Sequence, residues 1–488
     1  MAITILDCYT DEPAGLGVPP YIGTYPRYIA GYFMSEKKQS VNYLTIDDLR
    51  LHILYAGRRT KDDIKTKIKT YNLTNHNVDD VLSNTTDLII ILGVHTPGKY
   101  LSAVPGTIRE ITSLLKNIKC RKILTGPAIV GTQVEGGRFA EKSHLSEQFD
   151  EIKAFDFNYE EIADYSVQGA YIINQIDDLR LAEIETSKGC SRTVGCSFCT
   201  EPIKNKPCFR DQEDIIAEIK ALKAVGIDHF RLGKQSCFYS YKGGDPAEIE
   251  KLLKPIAVLN PKTLHIDNVN PARVTEEITK LIVKYCTSGN IAAFGVESFD
   301  PVVCEKNNLN TRPEIVHKAV KILNEIGGER GENGLPKFLP GINILMGLIA
   351  ESKQTFQINY DWLKKFLDED LLIRRINIRK VVPFEGTMLH EKAGNKFLRK
   401  NKKHYFSFRR KIREEIDHEF LKKLTPVGTV LKDVRMEVHD GNTTFGRQIG
   451  TYPLIVGVKG RYELGKFYDV EVIGHMLRSI IAELATNK

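Results

Sequence analysis

From residue 181 onward, short apolar segments alternate regularly with longer charged segments. The apolar segments are rich in Ile, Leu and Val, as buried parallel strands are. They cover residues 181–186, 229–232, 264–266, 291–296, 342–347 and 376–382. Helices are expected between them, for example over residues 211–225 and 312–326. Six such units are too few for the usual eight-stranded barrel, so the pattern predicts a partial (β/α)6 TIM barrel whose functional residues lie at the C-terminal ends of the strands.

The first third of the chain shows a related α/β pattern. Apolar strands are expected over residues 3–7, 87–94 and 122–125, and glycine-rich and proline-rich turns follow them. This pattern predicts a Rossmann-like domain whose ligand binds beyond the carboxyl ends of its parallel strands. No GxGxxG segment is present to indicate a dinucleotide. A nucleotide-like or tetrapyrrole-like ligand is the hypothesis that remains.

The last 63 residues show a different pattern, in which short segments of alternating apolar and polar residues are separated by glycines. Strands are expected over residues 427–430, 435–439, 454–458 and 468–472, which predicts a small antiparallel β-barrel. The chain is therefore of the α/β class. It is expected to divide into residues 1–178, residues 179–390, a basic helical linker over 391–425, and residues 426–488.

Composition narrows the class of protein. Hydrophobic residues make up 42% and charged residues 27% of the 488 residues, as in ordinary globular proteins. The longest apolar runs, such as residues 88–94, are far shorter than the roughly 20 residues that span a bilayer. The N-terminus lacks the basic start and apolar core of a secretory signal. We therefore expect a cytoplasmic protein with no membrane partner.

The net charge of +7 is concentrated in one stretch. Residues 391–424 contain twelve Lys or Arg and five Asp or Glu, which alone accounts for the charge of the chain. Aromatic residues lie among the cations and proline is absent, so a long basic amphipathic helix is predicted. A solvated helix face is the favoured interpretation, and a docking surface for an acidic protein or RNA is the alternative.

Three of the nine cysteines, Cys190, Cys196 and Cys199, fall within ten residues after a predicted strand. A structural zinc ion would want a fourth ligand nearby, and the nearest, Cys208, lies beyond Pro207. A disulfide would leave one thiol over and is disfavoured in a reducing cytosol. A 4Fe–4S cluster held by three thiolates keeps one iron open to a further ligand, and this is the favoured hypothesis.

With these cysteines the chain resembles the radical S-adenosylmethionine (SAM) superfamily, although the first gap holds five residues where the family usually has three. Further along, other segments match the family's SAM-binding motifs in the expected order. The resemblance implies that SAM is bound by Phe198 beside the cysteines, by Gly233, Lys234 and Gln235 after the second strand, by Glu297 and Ser298 on the fourth, and by Gly347 in the turn that also contains Glu351.

The resemblance also implies the chemistry. In the family the open iron chelates SAM, and one electron from the reduced cluster cleaves SAM to a 5′-deoxyadenosyl radical. That electron would come from a donor such as ferredoxin or flavodoxin. The cofactor carries the difficult chemistry, and the protein positions it and excludes water. The sequence assigns no catalytic residue.

A doubly wound domain before a radical SAM barrel resembles the cobalamin-dependent branch of the superfamily. The likeness implies methylcobalamin as a cofactor and methylation of an unactivated carbon. The cobalamin-binding residues implied are Thr10, Asp11, Gly93, His95, Gly126, Pro127 and Gly131. The DxHxxG ligand motif is absent, and His95 is favoured as a strand cap over a cobalt ligand.

The C-terminal barrel resembles TRAM modules, which often bind RNA in methylthiotransferases. RNA is therefore the alternative partner, and an RNA-modifying methylthiotransferase is the alternative enzyme. Two observations oppose it: residues 426–488 contain eight Lys or Arg against seven Asp or Glu, and only Cys8 and Cys120 are available where a second cluster needs three cysteines. Outside the class, the alternative is a non-catalytic RNA-binding or Fe–S-sensing protein.

The extended cysteine spacing is similar to that of the archaeal group that includes the glutamine C-methyltransferase of methyl-coenzyme M reductase. This resemblance implies a protein or peptide substrate, with methyl-coenzyme M reductase as the candidate. RNA and a small lipid or metabolite are the alternatives. The residues expected to contact a peptide are Tyr239, Tyr241, Asp267, Asn268, Asn270, Arg379 and Lys380.

Overall fold

The computed structural model describes residues 2–9, 21–56, 68, 70–93, 103–130, 133–134, 140–141 and 148–485. The chain divides into two compact units. Unit 1 contains residues 1–184 and 211–230, and unit 2 contains residues 185–210 and 231–488. The predicted boundaries at residues 178, 390 and 425 stay predictions. None of the helices in the described ranges has the length and apolar composition needed to cross a membrane.

Unit 1 contains a five-stranded parallel sheet, as the alternating pattern predicted. Its strands, in spatial order, are Val41–Thr45, Ala2–Asp7, Thr85–Ile91, Arg121–Thr125 and Glu151–Ile152. The central strand is buried on both faces, since residues 88–92 are at most 1% exposed. The sheet therefore needs helices on both sides, and its long apolar strand forms the middle of the core.

The helices of unit 1 begin where the sequence offers a cap. At Thr45 the hydroxyl accepts a hydrogen bond from the Asp48 N–H and the Asp48 carboxylate accepts one from the Thr45 N–H, which ends the strand and starts a helix. The α-helices are Thr24–Glu36, Ile46–Tyr55, Val78–Asn84, Ile108–Leu114, Tyr159–Gln168 and Gln212–Ala224. Shorter elements are Thr70–Asn72, Pro127–Val130, Gly169–Gln175, the hairpin Gln133–Val134 and Ala140–Glu141, and Tyr21–Ile22 paired in parallel with Leu181–Glu185.

All six strands predicted after residue 181 are present. They are Leu181–Glu185, His229–Gly233, Thr263–Ile266, Asn290–Glu297, Phe338–Met346 and Arg375–Lys380. Within unit 2 the last three form a parallel sheet with the short strand Asn268–Val269, in the order Asn268–Val269, Asn290–Glu297, Phe338–Met346, Arg375–Lys380. The carboxyl ends of these strands lie at one edge of the sheet.

Amphipathic helices separate the strands of unit 2. In Pro313–Gly327 a proline occupies the first turn, where its missing N–H costs nothing, and buried residues recur every three or four positions. The helical elements are Glu201–Lys204, Phe238–Gly244, Pro246–Val258, Pro271–Arg273, Glu276–Tyr285, Pro301–Lys306, Pro313–Gly327, Lys353–Asp368, Met388–Lys392, Lys396–Ile412, Arg413–Asp417 and His418–Leu424. The last four contain the predicted basic helix, and we call Lys396–Ile412 the basic helix below.

The C-terminal strands close into a five-stranded barrel, in the order Val430–Asp440, Thr443–Arg447, Val456–Lys459, Ile480–Leu484, Phe467–His475. The prediction of two strands at 427–430 and 435–439 was wrong. Residues 427 and 428 form a turn, and one long strand, Val430–Asp440, follows, because an irregularity between Leu431 and Val434, with Asp433 at φ +54°, bends the strand without ending it. Thr443–Arg447 and Ile480–Leu484 were missed, and the latter closes the barrel by pairing in parallel with Val456–Lys459.

Candidate functional site

The three clustered cysteines lie on a closed loop of unit 2, residues 189–207, which we call the cysteine loop. Its base is an antiparallel pair of short strands, Ser187–Lys188 and Cys208–Phe209. Gly189 has φ +78°, and a Cβ there would come within 2.5 Å of the Lys206 backbone, so only glycine fits. The Gly189 N–H donates to the Glu201 carboxylate at 2.8 Å. The loop is therefore tied at both ends before any ligand binds.

Cys190, Cys196 and Cys199 are free, partly accessible thiols. Burial raises the pKa of Cys196 to about 11. Arg192 opposes this rise, while the other two cysteines and Glu297 add to it. The Arg192 guanidinium donates to the Cys196 sulfur at 3.0 Å. The three thiols and Glu297 therefore lie near one another, with one cation placed to favour a thiolate.

The donor set fits a cluster better than a single ion. In the part of the chain that the structure describes, no three His, Cys, Asp or Glu side chains converge on the position of one metal ion. A zinc ion needs such convergence, whereas the thiolates of a 4Fe–4S cluster bind different irons and lie further apart. Cys208, considered as a fourth zinc ligand, is exposed on the strand beyond the loop.

Asn307 connects the cysteine loop to the next strand end. It is fully buried at the end of helix Pro301–Lys306. Its side-chain oxygen accepts from the Ser197 hydroxyl at 2.6 Å and from the Ile349 N–H at 3.1 Å, and its amide nitrogen donates to the Ile349 carbonyl at 2.9 Å. The Ser197 N–H donates to the Asn307 carbonyl at 3.0 Å. One amide thus holds the residue between Cys196 and Phe198 against the turn after Phe338–Met346.

Strained residues mark the carboxyl ends of three strands. Lys234, Glu297 and Ala350 have φ of +61°, +64° and +67°, a region that favours glycine. Each lies at or just after a strand of unit 2. Such backbone conformations cost about 1–3 kcal/mol each and concentrate at functional sites. All three belong to segments that the sequence predicted to bind SAM or to adjoin SAM-binding residues.

Gln235 offers a buried acceptor at this edge. Its side chain is nearly inaccessible, and its amide nitrogen donates to the Leu232 carbonyl at 3.0 Å. The side-chain oxygen has no hydrogen-bond partner among the described residues. A buried amide oxygen without a donor is costly unless a ligand supplies one. An amino group, as in SAM, is a donor of the right kind.

Glu297 is a buried carboxylate at a strand irregularity. The register with the next strand shifts between Gly295 and Glu297, and a Cβ on Gly295 would lie 3.2 Å from the Glu297 side-chain oxygen. Burial raises the pKa of Glu297 to about 8, and the Arg379 charge opposes the rise. The neighbouring Ser298 hydroxyl accepts from the Asp300 N–H at 3.1 Å, and Asp300 in turn caps the following helix by accepting from the Val302 N–H at 2.9 Å.

The turn containing Gly347 is held by internal contacts. The Gly347 N–H donates to the Glu351 carboxylate at 2.8 Å, and Asn401 of the basic helix donates to the same carboxylate at 3.0 Å. Burial raises the pKa of Glu351 to about 7, against these two donors. A Cβ on Gly347 would meet Leu398 at 2.3 Å. Packing of Leu398 accounts for the glycine, and Phe198 belongs to the same apolar cluster as Leu398.

The predicted cobalamin residues fall in unit 1, where Gly93, Gly126 and Pro127 follow adjacent strands. A Cβ on Gly93 would lie 2.3 Å from the Ala128 nitrogen, and one on Gly126 would lie 2.7 Å from the Leu92 carbonyl. Both glycines therefore allow neighbouring loops to pack against each other. Thr10, Asp11, His95 and Gly131 lie outside the described residues.

Two of the expected peptide contacts are core residues. Tyr239 and Tyr241 are each 1% exposed, and their hydroxyls bond Thr279 at 2.8 Å and the Arg210 carbonyl at 2.6 Å. The expectation that they contact a peptide was wrong, because the segment Phe238–Gly244 folds inward. Asp267 is buried in an ion pair with Arg231 and accepts from the Tyr452 hydroxyl at 3.1 Å. Asn268 donates to the Gln235 carbonyl at 3.1 Å, and Asn270 pairs with Asn310.

Sequence reasoning missed Arg192, Asn307 and Asn401. Arg192 lies inside the cysteine loop, so a cation beside a thiolate was a detectable pattern. Asn307 and Asn401 lie on helices far from the motifs they support, and nothing local distinguishes them from other asparagines.

Known proteins are similar to this chain in the region that contains the site. Residues 184–362 match the model of the Radical SAM superfamily. Protein MJ0274 of Methanocaldococcus jannaschii is 46% identical, with 98% of this chain and 92% of that protein covered. A protein of Archaeoglobus fulgidus is 38% identical, with 100% and 91% covered. The solved structure of the radical SAM methyltransferase TsrM from Kitasatospora setae, with cobalamin and a 4Fe–4S cluster bound, is 14% identical and covers 77% of this chain and 72% of its own, with a TM-score of 0.46.

Proposed function

We propose that this chain, which belongs to the Radical SAM superfamily and to one family with MJ0274, is a cobalamin-dependent C-methyltransferase that methylates an unactivated carbon of a protein substrate. The observation that supports a radical SAM enzyme is the cysteine loop. Its three free thiols lie beside Arg192 and Glu297 within the matched segment.

When bound, a 4Fe–4S cluster and methylcobalamin would supply the electron for SAM cleavage and the methyl group, respectively. The chain's own residues would hold the cluster and orient SAM. Cys190, Cys196 and Cys199 would bind the cluster, and the Arg192 guanidinium stabilises negative charge on Cys196. The Gln235 side-chain oxygen would accept from the amino group of SAM.

Glu297 is suited to the ribose or methionine part of SAM. Because burial raises its pKa to about 8, its carboxyl is largely protonated at neutral pH and can both donate and accept a hydrogen bond. Pre-organisation at the strained strand ends keeps these polar atoms in place before SAM arrives.

The methyl-transfer part is supported by the parallel sheet of unit 1, whose strands Ala2–Asp7, Thr85–Ile91 and Arg121–Thr125 end at one edge where ligands of such sheets bind. The substrate proposed is the glutamine region of methyl-coenzyme M reductase, on the resemblance of the cysteine spacing. The closed C-terminal barrel favours one second candidate, an RNA-modifying methylthiotransferase.

The test uses the full chain, reconstituted anaerobically with iron and sulfide. We expect about four irons per chain and 5′-deoxyadenosine on addition of SAM and reductant. With methylcobalamin and a synthetic peptide spanning the reductase glutamine, the peptide should gain the mass of one methyl group. Deoxyadenosine without a peptide mass change would exclude this substrate. Absence of methylcobalamin binding, together with thiomethylation of RNA, would select the second candidate.

A further inference from the structure

One face of the basic helix is strongly positive. Its exposed cations, which together we call the basic face, are Lys396, Arg399, Lys400, Lys402, Lys403 and Arg410. The ion pairs found within the described ranges include none made by these six. Phe406 is 51% exposed among them, and the Lys380 amino group lies over its ring at 4.8 Å. The basic face therefore combines unneutralised charge with an accessible aromatic ring.

The opposite side of the same helix supports the cysteine loop. Leu398 packs in one apolar cluster with Phe198, which directly precedes Cys199, and with Leu389, whose N–H donates to the Ser197 carbonyl at 2.8 Å. Asn401 holds the Glu351 carboxylate. A helix with its side chains is roughly 10–12 Å across. The basic face is therefore about one helix diameter from the loop that carries the cluster ligands.

We infer that the basic face docks an acidic electron-transfer protein, which passes one electron at a time to the cluster. The inference rests on the proposed function, since SAM cleavage consumes one electron. The donor is oxidised by one electron and the cluster is reduced by one, with no bond made or broken between the proteins. Complementary charge steers such an encounter and is screened by salt. RNA is the less favoured occupant, because the neighbouring C-terminal barrel has almost balanced charge and does not extend the positive surface.

The test compares two matched pairs of charge reversals. The first is Lys400→Glu with Lys403→Glu on the basic face. The control is Lys251→Glu with Lys254→Glu, which are likewise exposed lysines three residues apart, on helix Pro246–Val258. Glutamate keeps a high helix propensity, so both helices should form. The probe is a soluble ferredoxin of strongly negative net charge.

We expect the basic-face pair to weaken ferredoxin binding about tenfold at low ionic strength and to slow cluster reduction by ferredoxin to a similar degree. Reduction by dithionite, which needs no docking, should keep the wild-type rate. The control pair should change neither. Ferredoxin binding that survives the basic-face reversals would overturn the inference. If the basic-face pair keeps ferredoxin binding and loses RNA binding, the basic face is a binding surface for RNA. Because ferredoxin binding is also measured on iron-free protein, a chain that fails to assemble a cluster would defeat the proposed function separately.

Discussion

The carboxyl ends of the parallel strands are built differently in the two units. In unit 1, Gly93 and Gly126 at the strand ends face backbone of the next loop, as Gly93 faces the Ala128 nitrogen, and one residue with a side chain, Tyr9, is strained there at φ +61°. In unit 2 the strained positions are Lys234, Glu297 and Ala350, which have side chains and neighbour buried polar groups. A glycine after a strand thus reports close packing in unit 1. At Lys234, Glu297 and Ala350 of unit 2, strain at a residue with a side chain coincides with the segments predicted to bind SAM.

The two edges also differ in how they are tied. In unit 1 the segments after Thr85–Ile91 and Arg121–Thr125 bond backbone to backbone, with the Leu92 N–H donating to the Thr125 carbonyl at 2.9 Å and the Ala128 N–H to the Leu92 carbonyl at 2.9 Å. The unit 2 edge is tied by side chains, chiefly Asn307 and Glu351. Side-chain ties can be removed one at a time by substitution, so the unit 2 edge lends itself to sharper tests.

The largest effect is expected at the cysteine loop. Replacing Cys190, Cys196 and Cys199 together with alanine should lower bound iron from about four per chain to near zero, because all three protein ligands are lost. Iron analysis and visible absorbance measure this. Cys208→Ala, at an exposed cysteine on the adjoining strand, is the control and should keep full iron content. Methylcobalamin binding, proposed for unit 1, should survive the triple replacement. A triple variant that still assembles its cluster would refute the ligand assignment.

The next effect concerns the packing role of glycine in unit 1. Gly126→Ala should lower the free energy of unfolding by about 3 kcal/mol, because a Cβ would meet the Leu92 carbonyl at 2.7 Å and φ is +89°. Gly226→Ala is the matched control, with φ +94° and nothing within 4 Å, and should cost only about 1 kcal/mol. Urea denaturation measures both. If Gly126→Ala abolished methylcobalamin binding at undiminished stability, the glycine would serve the ligand and the contrast between the two edges would fail.

The strands could be predicted from the sequence better than the residues that hold the site in place. Each of the six strands from residue 181 onward was located from its apolar residues. Five of them are largely buried and carry the continuous signature of burial on both faces, whereas Arg375–Lys380 is only half-buried. The burial of Tyr239 and Tyr241 could not be predicted, because aromatic residues in a loop occur both in the core and at the surface. Asn307 contacts residues 110 and 42 positions away, at Ser197 and Ile349, and no local pattern encodes such a bond.

A pH effect of intermediate size is expected at Glu351. Burial raises its folded pKa from 4.5 to about 7, so the folded state holds this proton more tightly than the unfolded state. Stability from this group is therefore fully present below about pH 4.5 and is lost as pH rises towards 7. At about 1.4 kcal/mol per pKa unit the loss is on the order of 3 kcal/mol.

Denaturation midpoints measured across this range test the prediction. In Glu351→Gln the pH-dependent loss should be smaller than in wild type by that amount, because the side chain no longer titrates. Glu332→Gln, at an exposed position, should retain the wild-type profile. Identical profiles for wild type and Glu351→Gln would mean that the carboxylate is well solvated and that the side-chain tie at the unit 2 edge is weaker than its geometry indicates.

The smallest change in stability, but the most specific one, is expected from Asn307→Ala. It leaves the partly buried Ile349 N–H without its acceptor and frees the Ser197 hydroxyl, which should cost about 1–3 kcal/mol. Asn324→Ala is the matched control: Asn324 also bridges a helix to a distant loop, accepting from the Leu372 N–H at 2.7 Å and donating to the Leu372 carbonyl at 3.1 Å. Both variants should lose comparable stability.

Only Asn307→Ala should also broaden the electron paramagnetic resonance signal of the reduced cluster, because Ser197 lies beside Cys196 and its release lets the loop take more than one arrangement. Equal spectra for the two variants would show that the cysteine loop holds its shape without this side-chain tie.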